Sequence, residues 1–252
     1  MTGIETLGAF AVLLVRPGLL VIGTPFLGAV HAPAPMRIGL TVLLAIVLAP
    51  MVTLPPVVSA AALVAVLARE VAIGLALALG IRTLVLGAEL AGHLTGYQLG
   101  LSMGALIDPQ TGVRNTILAV LYANVTIVVM FATNAHHALI RALADSYAAL
   151  PVGLGSLDAS LAASVAELIG VVFILGVRIA APVIVVLLIV EIALGVVARV
   201  APALNVLMSG APLRLAVGLL VVAATVTAMP AIINRYVPEV LALAAETARA
   251  FR

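Results

Sequence analysis

Apolar residues run along this chain in long blocks, at 4–30, 38–54, 57–99, 116–150, 160–198 and 213–233. Continuous runs of this length predict helices, and one bilayer crossing takes about 20 residues. Two of the blocks are too long for a single crossing. No proline lies between Pro56 and Pro109, and an unbroken helix over that interval would reach roughly 75–80 Å, against a hydrocarbon core of about 30 Å. That segment must fold back, break, or continue outside lipid. An outer-membrane barrel is excluded, because its strands alternate apolar and polar residues. From Pro238 to Arg252 apolar and charged residues recur at helical spacing, so the tail from 236 onward is expected to be a short amphipathic helix.

Small residues form the most regular pattern. Gly92, Gly96, Gly100 and Gly104 recur every four positions, and Ala68, Ala72, Ala76, Gly80 and Ala88 keep the same spacing upstream, with Leu84 out of step. On a helix this predicts one narrow face where backbones approach closely. The face serves either packing within the chain or packing around a multi-subunit axis.

Composition narrows the class. Of 252 residues, 65% are hydrophobic and 9% charged; a soluble domain carries about 45–50% and 25%. So few charges cannot cover a soluble surface, and disorder would leave too much apolar area in water. The expected fold is an all-α polytopic membrane protein. Net charge is +2, every basic residue is Arg, and no basic stripe marks a nucleic-acid partner. Cysteine is absent, which removes disulfides and thiolate chemistry. The first ten residues carry Glu5 and no basic residue, so no cleavable signal peptide is expected.

Six charges lie inside apolar runs: Arg69, Glu70, Arg82, Glu89, Arg178 and Glu191. Each costs roughly 2.5–3.5 kcal/mol at a lipid-facing mid-helix position, so they are expected to face protein or water, as ion pairs between helices or along a polar passage. Arginines do not sort cleanly by the positive-inside rule, with Arg235, Arg249 and Arg252 on the wrong side of the simplest topology. Some apolar segments are therefore expected to bury against other subunits.

Catalytic signals are thin. Gly100-Leu-Ser102-Met-Gly104 fits G-x-S-x-G, but both glycines already belong to the four-residue repeat. A hydrolase built on Ser102 is the remote reading. His136 and His137 are adjacent, so they do not share a helix face, and no metal is expected. No cofactor motif is present, and no inverted repeat suggests a solute transporter. The segment 104–116 follows the glycine run, with Pro109 disfavouring helix at Asp108 and Gly112 suiting a turn. It reads as a surface loop or as a re-entrant segment surrounded by protein.

Four blocks in order carry a resemblance. Gly92-His-Leu-Thr-Gly96-Tyr-Gln98-Leu-Gly100-Leu with Asp108-Pro109 and Gly112 is similar to the "GE-x-x-G-x-Q-x-G-L … DP-x-x-G" stretch of the FliR/SctT family of type III export-gate proteins, with His93 in place of the acid and Glu89 one turn earlier. Asn134-Ala-His136 and Asp145 to Gly153 resemble its "NGH … S-F-x-x-L-P-x-G" block. Ala201-Pro202-Ala-Leu-Asn205-Val206 and Gly210-Ala-Pro212-Leu-Arg214 resemble "APQ-x-NVF-x-x-GFPLK", with Ala203, Leu207, Ala211 and Arg214 replacing Gln, Phe, Phe and Lys. Arg16-Pro17-Gly, Pro25-Phe26-Leu-Gly28, Arg37-Ile-Gly39-Leu40 and Leu48-Ala-Pro50 fit near the start.

The resemblance implies a structural, non-enzymatic subunit of a protein-conducting gate in the bacterial inner membrane, at the flagellar basal body, its injectisome counterpart being the alternative. It implies long, kinked helical hairpins: a FliP-like part over about 1–179, a FliQ-like hairpin over about 180–235, and the tail 236–252. Arg199, Pro202, Asn205 and Pro212 would form the hairpin turn. Implied partners are FliP and FliQ, with FlhB and FlhA nearby, the MS ring around the gate, and unfolded axial proteins as substrates. The loop with Met103, Leu106, Ile107, Asp108, Pro109, Gly112 and Arg114 would plug the closed pore.

Overall fold

In an apolar surround every backbone amide must find its partner within the chain, and helices do this locally. The computed structural model describes residues 3–25, 32–52, 60–101, 116–152, 160–201 and 206–249. Among them are α1 (Gly3–Gly23), α2 (Ala34–Leu48), α3 (Ala60–Gln98), α4 (Ile117–Ala132), α5 (Ala135–Ala149), α6 (Ser160–Val200) and α7 (Val206–Arg249), with a 3-10 turn at Ala49–Met51. Four of the described helical segments are long and apolar enough to cross a membrane, or five if α4 and α5 count as one bent span. The all-helical membrane class read from the sequence therefore holds.

Of the long apolar blocks only 116–150 breaks, while 57–99 and 160–198 are each spanned by one continuous helix. The helix after Pro56 stops at Gln98 after 39 residues, still about twice what a crossing needs. The block 116–150 breaks at Thr133–Asn134, where α4 and α5 bend by 71°. Asn134 takes a left-handed conformation there (φ 58°), which Asn tolerates better than branched residues.

The chain divides into two compact units. The first holds Met1–Leu84, Met130–Val171 and Tyr236–Arg252. Its α1 buries Val12, Arg16 and Leu20, one residue per turn, and Thr24 just past its end continues the stripe. Pro17 lies inside α1 and has no N–H to give the carbonyl four residues back. That carbonyl, of Leu13, instead accepts a hydrogen bond from the Tyr147 hydroxyl at 3.2 Å. In the end of α7, Tyr236, Val240, Ala244 and Thr247 are buried at one-turn intervals, and Ala244 fits against Gly80 of α3. The tail from 236 is thus amphipathic, but it is not a separate helix. The helix α7 continues through Pro230 and Pro238, because the buried stripe keeps its register on both sides of each proline.

The second unit holds Val85–Val129 and Val172–Arg235. Here α3 and α6 exchange knobs for small holes: Leu175 sits over Gly87, and Leu90 sits over Gly176. A Cβ on Gly176 would lie 2.7 Å from Leu90 Cδ2. The connection after α6 is shorter than expected. The helix runs to Val200 and α7 begins at Val206, so Pro212 is helical rather than part of the turn. Arg199 is exposed at the end of α6, while Pro202 and Asn205 lie outside the described residues.

Candidate functional site

The sequence directs attention to the segment between α3 and α4. Met103, Leu106, Ile107, Asp108, Pro109, Gly112 and Arg114, like Ser102, lie outside the described residues. Both of its stems are described, and both meet the same turn of α3. On the outgoing side the Gly100 N–H donates to the Tyr97 carbonyl (3.1 Å) and the Leu101 N–H to the Gly96 carbonyl (2.9 Å). Gly100 has φ +75°. This is a Schellman ending, in which glycine supplies the left-handed residue after the last helical turn. On the returning side Thr116 starts α4, its carbonyl accepting from Ala119 (2.9 Å) and Val120 (3.2 Å). The Thr116 methyl packs against Gly96, where any side chain would collide with it. The Thr116 hydroxyl bonds to His93 Nδ1 at 3.2 Å. The two described stems, one ending at Leu101 and the other starting at Thr116, thus both contact Gly96.

The glycine run itself is corrected by this geometry. A four-residue step advances about 40° beyond a full turn of a 3.6-residue helix, so the stripe winds over several turns although the successive Gly92 and Gly96 still share one partner, the start of α4. In the first unit Gly80 receives Ala244 of α7, and in the second Gly92 and Gly96 receive Ala119 and Thr116 at the start of α4. A Cβ on Gly92 would lie 2.6 Å from the Leu118 carbonyl carbon, a backbone atom that no rotamer change can move. Gly100 leaves the face altogether: it is exposed, and nothing lies within 4 Å of a Cβ built there. Gly104 lies outside the described residues.

The charges separate by environment. In the first unit Arg16, which enters the sequence reading only through the family match at Arg16-Pro17-Gly, is wholly buried with Glu70. Its Nε and Nη2 donate to the two Glu70 oxygens, the Nη2 bond being 3.0 Å. Nη2 also donates to the Leu150 carbonyl (2.8 Å) and Nη1 to Ser146 Oγ (3.2 Å). The guanidinium carbon lies 4.4 Å from the centre of the Tyr147 ring. One arginine thus joins α1 to α3 and to the C-terminal end of α5, where a cation is favoured by unpaired carbonyls. In the second unit Glu191 meets Arg214 at 3.4 Å across the α6–α7 hairpin, with both side chains more than a third exposed. Such a pair contributes about 0–1 kcal/mol. Arg82 and Arg178 are exposed, and Arg69 and Glu89 half-buried.

Neither constellation has the parts of an active site. The Arg16 cluster has a committed partner for every group it offers, and the His93–Thr116 contact at the loop stems ties the start of α4 to α3 with no third orienting group or oxyanion donor beside it among the described residues.

Comparison with known proteins agrees with this reading. The profile described as "Bacterial export proteins, family 1" matches residues 7–240. The chain is 30% identical over 220 residues to the flagellar biosynthetic protein FliR of Bacillus subtilis (strain 168), covering 85% of this chain and 84% of that one. It is 32% identical over 214 residues to FliR of Pectobacterium carotovorum subsp. carotovorum, covering 84% and 81%. Against FliR of Escherichia coli (strain K12) it is 30% identical over 215 residues, covering 84% and 81%. The matched span contains the loop stems, the Arg16 cluster and the α6–α7 hairpin, and the chain belongs to family 1 of the bacterial export proteins, membrane components of an export apparatus and not enzymes.

Proposed function

We propose that this chain is a structural subunit of the flagellar type III export gate, forming with FliP and FliQ the inner-membrane pore through which unfolded axial proteins leave. FlhB and FlhA adjoin it and the MS ring surrounds it at the basal body. Residues 1–179 form its FliP-like part and 180–235 its FliQ-like hairpin. The match to flagellar FliR proteins over more than four fifths of the chain carries this reading. Large apolar residues left exposed along α2 and α6, such as Ile38, Val47, Phe173 and Ile189, are consistent with burial by lipid and neighbouring subunits.

Within that gate we assign residues 103–115 as the plug. The resemblance supports this assignment, and the described stems on either side of the segment, at Leu101 and Thr116, both contact Gly96. Met103, Leu106 and Ile107 seat the plug, and Asp108 and Arg114 choose between closed and open packings. The helices carry no chemistry; energy comes from outside this chain. Deleting 106–114 in cells tests the assignment through the ion leak of the assembled complex. Leak must rise, and an unchanged leak with the complex intact rejects the plug. Loss of hook export with loss of swimming is the readout for the flagellar role, and loss of effector secretion alone would reassign the chain to an injectisome.

A further inference from the structure

In the first unit α1 and α2 leave a groove of about 410 Å³ between them. That volume is in the range of small-ligand sites. Leu14 and Ile22 of α1 and Ile38 and Val42 of α2 make its walls apolar, and Gly18 adds no side chain to fill it. Among its lining residues Arg37 alone is charged. Thr41 also lines the groove but is committed, its hydroxyl donating to the Arg37 carbonyl at 2.9 Å. Arg37 Nε is shut off from solvent and has no hydrogen-bond partner, a costly state for a donor on a charged group.

The missing partner is an anion, and the chain has none to offer there. Between Glu5 and Glu70 the sequence holds no acidic residue. Glu5 precedes Gly18 by about 20 Å along α1, and both oxygens of Glu70 are held by Arg16. Among the described residues no carboxylate forms an ion pair with Arg37. The depth of Arg37 follows from α2 itself. Ala34–Met51 is long and apolar enough to cross a membrane without help from another helix. Its 18 residues rise about 27 Å, close to the hydrocarbon thickness of about 30 Å. Arg37, in the first turn, then stands at headgroup level and not at the bilayer centre. This span is also the least covered by the rest of the chain of the four, and Ile22 and Ile38 at the groove are exposed.

We infer that the α1–α2 groove binds an anionic phospholipid. The headgroup phosphate accepts from the Arg37 guanidinium, whose fork suits phosphate oxygens, and engages the Nε that the chain leaves unpaired. An acyl chain follows Leu14, Ile22, Ile38 and Val42, which removes apolar surface from water. A zwitterionic headgroup would bring an ammonium for which no carboxylate stands ready, and free phosphate would leave the apolar walls bare. The inference goes beyond the export-gate reading and does not rest on it.

The test is native mass spectrometry of the delipidated full chain in detergent, with phosphatidylglycerol, phosphatidylethanolamine of the same acyl chains, or inorganic phosphate added. Phosphatidylglycerol should bind at least about fivefold more tightly than phosphatidylethanolamine, the scale of one basic residue beside an anionic headgroup. Arg37→Gln should weaken phosphatidylglycerol at least about tenfold, the scale of one charge-assisted contact, and abolish the preference. Arg141→Gln removes an exposed charge of the same unit away from the groove, and should change binding less than about twofold. Because Arg37 Nε has no partner in the chain, Arg37→Gln should not lower thermal stability without lipid. Equal retention of the two lipids by the parent overturns the inference, as does an equal loss in Arg37→Gln and Arg141→Gln. A lower thermal stability of lipid-free Arg37→Gln overturns it too, by revealing a partner within the chain. Displacement of lipid by inorganic phosphate alone, or cross-linking of position 37 to a partner protein in native membranes with no lipid retained, overturns it equally.

Discussion

Buried charge is the most exacting test of this fold, and Arg16–Glu70 is its sharpest case. Replacing Glu70 with Met leaves a fully buried guanidinium with only the Leu150 carbonyl and the Ser146 hydroxyl. Removing one partner of such a pair costs about 3–5 kcal/mol. Arg16→Met strands the Glu70 carboxylate and should cost a similar amount. The double variant removes both charges. What remains is one orphaned carbonyl, because Ser146 still donates to the Leu143 carbonyl at 2.7 Å, and a buried unsatisfied group costs about 1–3 kcal/mol. Independent sites would give a double cost near 6–10 kcal/mol, so the cycle should show coupling of at least about 3 kcal/mol. For a chain of this size each kcal/mol lowers Tm by about 2–4 °C. The single variants should then lose roughly 6–20 °C and the double variant distinctly less. Heating the purified full chain in detergent and measuring the monodisperse fraction by size-exclusion chromatography reads this directly. A double variant less stable than either single one would refute the claim that the two residues act as a pair.

Further outcomes follow from the same contacts, each read as Tm of the purified chain. Tyr147→Phe should cost about 1–3 kcal/mol by orphaning the Leu13 carbonyl; in a Pro17→Ala background the restored helical N–H should shrink that cost below about 1 kcal/mol, and an undiminished cost would show that the proline does not create the need. Gly92→Ala should destabilise by about 1–3 kcal/mol through overlap with the α4 backbone. Gly170→Ala, where nothing lies within 4 Å, should instead stabilise by about 0.5–1 kcal/mol; a matching loss at both would refute the packing argument. Gly100→Ala should cost about 1 kcal/mol at its left-handed φ, with Gly100→Asn costing less.

The helical membrane class was legible from hydropathy alone, because blocks this long and this apolar have no other stable outcome in lipid or water. Block order also carried the family, since Gly92 to Gly112 and Ala201 to Arg214 retain motif spacing even where residues differ. The requirement that Glu70 and Glu191 avoid lipid was equally readable from their surroundings. Their partners were not: Arg16 lies 54 residues from Glu70, and no local pattern announces a contact made by folding one helix onto another. The division of labour among the glycines followed the same limit. A repeat of four reports that Gly80, Gly92, Gly96 and Gly100 share spacing. Helical drift then turns them toward different neighbours, so that Gly80 receives Ala244, Gly92 the α4 backbone and Gly96 the Thr116 methyl, while Gly100 receives nothing and ends the helix. Local sequence sets which residues form helices and what each helix must hide. Which surface hides it depends on the packing of segments distant in the chain.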